Sequence, residues 1–186
     1  MNKVMIYKVI KVTTLAHDGQ RRKGSDMPYI VHPIECGFIT SEITDNADII
    51  AAAILHDTLE DTDLTYEYLA KEFDHNIADM VKALSENKRK ELSSLVTWEE
   101  RKKESIKHYK KLDQGTKIIL LVDELSNLRS LDEDYKSLGE EVWKKFNMNK
   151  KERHAWYYGE IIKILSTLKL SPEYKELKEL YEAIFG

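Results

Sequence analysis

Cysteine is almost missing from this chain. A single one, Cys36, excludes an internal disulfide and suits a reducing compartment. Its expected place is that of a small, buried, apolar side chain. Proline and glycine are scarce too, three and seven in 186 residues, so long helices meet few breakers. No apolar run reaches the roughly 18 residues that a membrane span needs. Met1-Asn2-Lys3-Val4 opens no long apolar stretch with a small-residue cleavage pattern, so no secretory signal is expected. Excess positive charge is lacking as well: the formal net charge is −4 and neither half is basic. A cytoplasmic protein is therefore expected, with neither nucleic acid nor membrane as partner. What is there is a globular composition, 42% hydrophobic and 33% charged, in a length that fits one domain with a sizeable core.

Apolar residues recur at helical spacing along most of the sequence, and no strand-type alternation survives a count. The expected fold is all-α, a single-domain helical bundle over residues 1–186. A first helix is predicted over about 2–17, with His17 as a cap at its C-terminal end. A polar loop, Gln20 to Met27, leads to Pro28, and Pro33 starts a second helix that runs to about Ile43. The third runs from Ala47 to about Thr58. Shorter helices follow at Thr65 and Ile77, and a polar loop is expected from Ser85 to Ser94. Thr97-Trp98-Glu99-Glu100 fits a capping box opening a helix to about Leu112. Lys117 to Leu131 is apolar on most faces and hence central, with a break at Asp132 to Asp134. Glu140 to Phe146 looks weakly helical, and Lys150 to Leu168 strongly so. Ser171-Pro172 caps a last helix to Ile184. His75, His108 and His154 are expected at the surface.

One stretch does not suit a core helix. Ile49 to Leu55 is wholly apolar, yet His56-Asp57 and Glu60-Asp61 follow at once. Charges taken from water must be paired or must bind a metal. Adjacent His56 and Asp57 lie about 100° apart on a helix, so both can lean toward one point beside it, while His56 and Glu60 share a face. Asp123 is the second oddity, since it follows five apolar residues, Ile118 to Val122, with Asn127 one helical turn on. A buried carboxylate needs a histidine or a metal beside it. His32, at a helix start, supplies a third element. Two imidazoles and two carboxylates form a mixed N/O ligand set that suits Mn²⁺, Fe²⁺ or Zn²⁺ better than Ca²⁺ or Mg²⁺. A bound ion of that kind lowers the pKa of a coordinated water toward 7.

The ordered blocks His17-x-Gly19-Gln20-x-Arg22-Lys23, Pro28-Tyr29-Ile30-Val31-His32-Pro33, Leu55-His56-Asp57-x-x-Glu60-Asp61-Thr62 and Asp123-x-x-x-Asn127-Leu128-Arg129 resemble the HD-domain alarmone hydrolases. These are the hydrolase half of the Rel/Spo proteins and their small stand-alone relatives. The resemblance covers about residues 7–165. It implies that His32, His56, Asp57 and Asp123 are metal ligands, with Mn²⁺ the usual ion. Glu60 and Asp61 would position and activate the attacking water. Asn127 would contact the nucleotide sugar or 3′-phosphate, and Arg22, with Lys23 beside it, would lie near the guanine base. The implied reaction removes pyrophosphate from the 3′ position of guanosine tetra- or pentaphosphate. A solvated loop remains the plain alternative for Arg22 and Lys23, and a helix-face hydrogen bond for Asn127.

Two positions depart from the family's pattern. Glu124 stands where a basic residue usually follows the helix Asp, and Leu120 where a lysine often precedes it. By the resemblance both would lie near the polyphosphate, so weaker binding of a highly charged nucleotide is expected. The loop also carries an extra residue, around Asp26-Met27. The alternatives are therefore an HD phosphohydrolase acting on another nucleotide or phosphate ester, and a catalytically silent nucleotide-binding sensor. A homo-oligomer is compatible with the sequence and is not specified by it.

Overall fold

The computed structural model of the protein describes residues 3–86, 89 and 93–186. Among these the secondary structure is helical, with one isolated antiparallel bridge, Arg21 to Pro28. The helices are α1 (Lys3–Ala16), α2 (Val31–Ile43), α3 (Ala47–Leu55), α4 (Thr58–Asp61), α5 (Tyr66–Glu72), α6 (His75–Leu84), α7 (Ser94–Tyr109), α8 (Gln114–Leu138), α9 (Lys151–Ile164) and α10 (Pro172–Phe185). Two 3-10 segments, Gly139–Lys145 and Leu165–Leu168, complete them. None of the described helices is long and apolar enough to cross a membrane.

The chain forms two compact units, Met1–Ser85 with Asp113–Asp123, and Glu86–Leu112 with Glu124–Gly186. The first is built around α3, which packs against α1, α2 and α6. Ile50 to Leu55 are all buried. The three alanines, Ala51 to Ala53, leave room for neighbouring helices on every side. Gly37 of α2 does the same from across the interface: a Cβ there would lie 2.4 Å from Cγ1 of Ile54. Asn46 caps α3, its side chain accepting from the amide of Asp48 at 2.9 Å. In the second unit α9 packs against α7 and α10. Ser171 caps α10 by accepting from the amide of Tyr174, and Pro172 follows in the first turn, as the sequence predicts.

Several boundaries differ from expectation. The third helix does not run on to Thr58: α3 stops at Leu55, the chain turns through His56-Asp57, and α4 is a separate single turn. His56 and Glu60 therefore do not sit on one continuous helix. Thr97 opens no capping box. It is buried inside α7, where its hydroxyl bonds back to the carbonyl of Ser93 and accepts from Nε of Arg101. The helix begins at Ser94, inside the predicted polar loop, of which residues 87, 88 and 90–92 lie outside the described residues. The predicted break at Asp132 to Asp134 is absent because α8 continues to Leu138. An i,i+4 contact from Lys136 to Asp132, 2.6 Å, absorbs the charge. His154 is not at the surface. It is buried, its Nε2 donating to the carbonyl of Met148 at 2.7 Å.

Candidate metal centre

His32 lies in the first turn of α2, His56 at the end of α3, Asp57 in the turn that follows, and Asp123 within α8. All four belong to the first unit. Their polar atoms meet. Nε2 of His32 is 3.2 Å from Oδ1 of Asp123 and 3.6 Å from Oδ2 of Asp57. Nε2 of His56 is 3.0 Å from Oδ2 of Asp57 and 3.5 Å from Oδ1 of Asp123. The imidazoles are sealed, with 2% and 3% of their side-chain surface exposed, whereas Asp57 and Asp123 keep 17% and 24%. The cluster thus opens to solvent on its carboxylate side.

The second nitrogen of each ring is already engaged. Nδ1 of His56 donates to the carbonyl of Ala53 at 2.8 Å, which directs a lone pair of Nε2 toward the carboxylates. That Nε2 is buried and lies 3.0 Å from Oδ2 of Asp57 without meeting the geometry of a full hydrogen bond. Nδ1 of His32 faces the thiol of Cys36 at 3.8 Å, and the thiol in turn lies 3.8 Å from the carbonyl of Val122. Ligand atoms of His32, Cys36 and His56 lie within 4.8 Å of one another and could hold an ion by themselves. The carboxylate set is the better fit, because Cys36 addresses the wrong nitrogen of His32 for an ion that also touches His56 and both aspartates. Four donors around a cation with bonds near 2.1 Å stand about 3.0–3.4 Å apart, from octahedral to tetrahedral placement. Two of the four distances, 3.0 and 3.2 Å, fall within that spacing, and the other two, 3.5 and 3.6 Å, lie just above it. The buried Nε2 of His56, which has no aligned hydrogen bond, is what such an ion would satisfy.

Electrostatics agree. Burial alone would raise the pKa values of both carboxylates. The imidazole of His56 outweighs it, holding Asp57 down to about 2 and Asp123 below the usual carboxylate range. Burial would lower the pKa values of the histidines. For His32 the sulfur of Cys36 and the carboxylate of Asp123 outweigh it and push the pKa up to about 9. For His56 the two aspartates push it well above the ordinary value. The carboxylates demand positive charge, and protons on the imidazoles compete with a divalent cation to supply it.

The remaining predicted residues fall around this cluster or beyond it. Glu60 and Asp61 are half-buried on α4, immediately after Asp57. Arg22 sits in a small loop closed by its own amide, which donates to the carbonyl of Met27 at 2.8 Å. Its guanidinium lies over the ring of Tyr29, 5.9 Å from the centroid. Lys23 is exposed as a residue, but partial burial of its ammonium lowers its pKa. Asn127 is half-buried on α8, four residues after Asp123, in the part of that helix belonging to the second unit. Leu120 and Glu124 are both buried, and the carboxylate of Glu124 accepts from the hydroxyl of Tyr157 at 2.5 Å.

Two residues that sequence reasoning passed over touch the cluster. Cys36 stands four residues after His32 on α2, and that i,i+4 spacing was the available signal. Tyr29 donates a short hydrogen bond to Oδ2 of Asp57, and burial together with Asp57 raises its phenol pKa so that it remains a donor. Nothing local in the sequence marks that bond, which joins residues 28 apart.

Comparison with known proteins identifies the family. An HD domain family profile matches residues 10–150. The chain belongs to the HD-domain family. Within that family it is 34% identical, over 132 residues, to a zebrafish (Danio rerio) protein named guanosine-3′,5′-bis(diphosphate) 3′-pyrophosphohydrolase MESH1, with 69% of each chain covered. A Xenopus tropicalis protein of the same name is 36% identical over 119 residues, covering 62% of this chain and 63% of that one. The HD domain also matches an Aquifex aeolicus guanosine-3′,5′-bis(diphosphate) 3′-pyrophosphohydrolase, 34% identical over 121 residues, but spans only 16% of it. Among solved structures, one described as a metazoan orthologue of SpoT that hydrolyses ppGpp superposes with a TM-score of 0.77 at 24% identity, covering 96% of this chain and 94% of that one, which shows a common fold. A Listeria monocytogenes protein superposes with a TM-score of 0.72 at 28% identity, covering 83% and 98%. A divalent metal ion is what an HD-domain hydrolase implies.

Proposed function

We propose that this chain is a metal-dependent phosphohydrolase that removes pyrophosphate from the 3′ position of guanosine tetra- or pentaphosphate, in the cytoplasm, with Mn²⁺ as the ion. The observation that carries the reading is the meeting of His32, His56, Asp57 and Asp123 within 3.6 Å of one another through four N–O pairs. The names of the zebrafish and Xenopus relatives point to the substrate.

These four residues would hold the ion. When bound, it supplies a Lewis acid and an activated water. Glu60 and Asp61, on the turn directly after a ligand, take up the proton that the attacking water gives up. Attack at the 3′-linked phosphorus breaks its bond to O3′. The sugar oxygen leaves and is protonated, so the products are a guanosine 5′-polyphosphate and pyrophosphate. Arg22 and Lys23 bind the base and phosphates with the loop's positive charge, and Asn127 meets the sugar or 3′-phosphate. Tyr29 keeps the carboxylate of Asp57 turned toward the two imidazoles.

The test is incubation of the purified protein with guanosine 3′,5′-bis(diphosphate) and Mn²⁺. Pyrophosphate and guanosine 5′-diphosphate are expected in equal amounts. Phosphate release from a simpler nucleotide, with none from this one, would replace the substrate. No turnover of any phosphate ester at full metal loading would leave a silent nucleotide binder.

A further inference from the structure

The residues assigned to water activation stand on a weak support. α4 is one turn long, bounded by Asp57 and by Thr62 in extended conformation. A single turn gains little from helical cooperativity, and its last carbonyls have no partner within the helix. The hydroxyls of Thr58 and Thr62 bond to the carbonyls of Leu55 and Thr58, at 2.7 and 2.6 Å, and these bonds tie the turn only to itself and its own stem. α4 also packs against α6, and a directed contact from a distant segment adds to that support.

Gln20 reaches it from 41 residues away. Its Nε2 donates to the carbonyl of Asp61 at 2.9 Å. Its Oε1 accepts from Nδ1 of His17 at 2.8 Å. A side-chain amide can turn over, but His17 holds the oxygen, so the NH₂ faces Asp61. His17 is buried, 2% exposed, and its ring lies 4.9 Å from that of Tyr29. The main chain of Gln20 is pinned as well: its amide donates to the carbonyl of His17 and its carbonyl accepts from the amide of Tyr29, both at 3.0 Å. Tyr29 in turn holds Asp57. Residues 17–29 therefore grip the 57–61 turn at both ends, by the ligand carboxylate at one and the last carbonyl of α4 at the other.

We propose that Gln20 is a positioning residue, oriented by His17, which holds the Glu60-Asp61 turn in register with the metal ligands. The inference rests on the phosphohydrolase reading above. It gives Gln20 no contact with substrate or ion and no share in the proton transfer. It assigns Gln20 the geometry that makes the transfer efficient, where a displacement of about 1 Å can cost a hundredfold in rate.

Gln20→Glu is the decisive variant, because the carboxylate keeps the length and still accepts from His17 but cannot donate to Asp61. The expected result is a fall in kcat of about tenfold or more, with KM and the Mn²⁺ dissociation constant within about threefold of wild type. His17→Phe keeps the ring beside Tyr29 and frees the amide to turn, so a smaller loss of the same kind is expected. Hydrogen exchange over residues 58–62 should quicken in both variants at an unchanged melting temperature. Unchanged kcat in Gln20→Glu, or a loss that follows metal affinity and melting temperature together, would overturn the proposal. If wild type itself releases no pyrophosphate, the substrate reading falls and the exchange measurement decides this one, with equal exchange in wild type and Gln20→Glu refuting it.

Discussion

Asp123 and Glu124 are consecutive acids on one helix, and they belong to different units. In the first unit Asp123 faces two imidazoles whose other nitrogens are spoken for, and its carboxyl is held below the usual range by them. In the second unit Glu124 accepts from the hydroxyl of Tyr157, whose pKa is raised by burial first and by Glu124 next. The histidines repeat the contrast. His56 has a buried nitrogen without a hydrogen bond, whereas Nε2 of His154 donates to the carbonyl of Met148 among the rings of Trp98, Trp143 and Phe146. Both units bury polar groups at a cost. The second offsets it with direct hydrogen bonds, the Arg101–Glu86 ion pair and aromatic packing. The first gathers two carboxylates against two imidazoles and leaves one buried ring nitrogen without an aligned hydrogen bond, which is the condition of a site rather than of a core.

The strongest way to break that contrast is to remove a ligand. Asp123→Ala or His56→Ala should abolish Mn²⁺ binding in titration calorimetry and lower pyrophosphate release by more than about a thousandfold. Metal binding surviving either change would remove the distinction. Next, Glu60→Gln should bind Mn²⁺ normally and lose about 10²–10⁴ in kcat, since only proton uptake is impaired. A normal rate in that variant would refute the role given to Glu60.

A pH titration sharpens the comparison further. His32 has a raised pKa, so in ion-free protein its contribution to stability is present below its ordinary value of 6.5 and is lost as pH rises through about 9. Asp57 has a lowered one, so its contribution is present above 3.8 and is lost as pH falls through about 2. Chelated protein should therefore lose stability between pH 6.5 and 9, and Mn²⁺ affinity should rise over the same span as the imidazolium protons are released. Affinity that is flat across that range would show that no proton is displaced. The smallest effect is expected in the second unit. Tyr157→Phe removes a hydrogen bond from a buried carboxylate and should cost about 1–3 kcal/mol in denaturant unfolding, with Mn²⁺ affinity unchanged.

The meeting of His32, His56, Asp57 and Asp123 was legible in the sequence largely because the last three are chemically out of place. His56-Asp57 ends an apolar helix, and Asp123 interrupts one. Helix existence was legible from periodicity for the same reason. Boundaries failed where a side chain did something local that periodicity does not encode. Thr97 looks like a cap but bonds back to Ser93 within a helix already begun. The acidic run at Asp132 looks like a break but is neutralised by Lys136 one turn on. His17 reads as a terminal cap, and only the folded chain shows its ring turned inward to Gln20. The contacts of Cys36 and Tyr29 were hidden more deeply, since each depends on which nitrogen or oxygen of a partner is left over once the ligands have converged.

The unequal exposure of the cluster, 2–3% for the imidazoles against 17–24% for the carboxylates, sets a direction of traffic. An ion seated there has no exit through the histidine wall and must depart past Asp57 and Asp123, along the side by which a nucleotide would arrive. Occupancy by a non-hydrolysable nucleotide should then slow stripping of Mn²⁺ by a chelator, and equal stripping rates with and without it would mean that a second door exists.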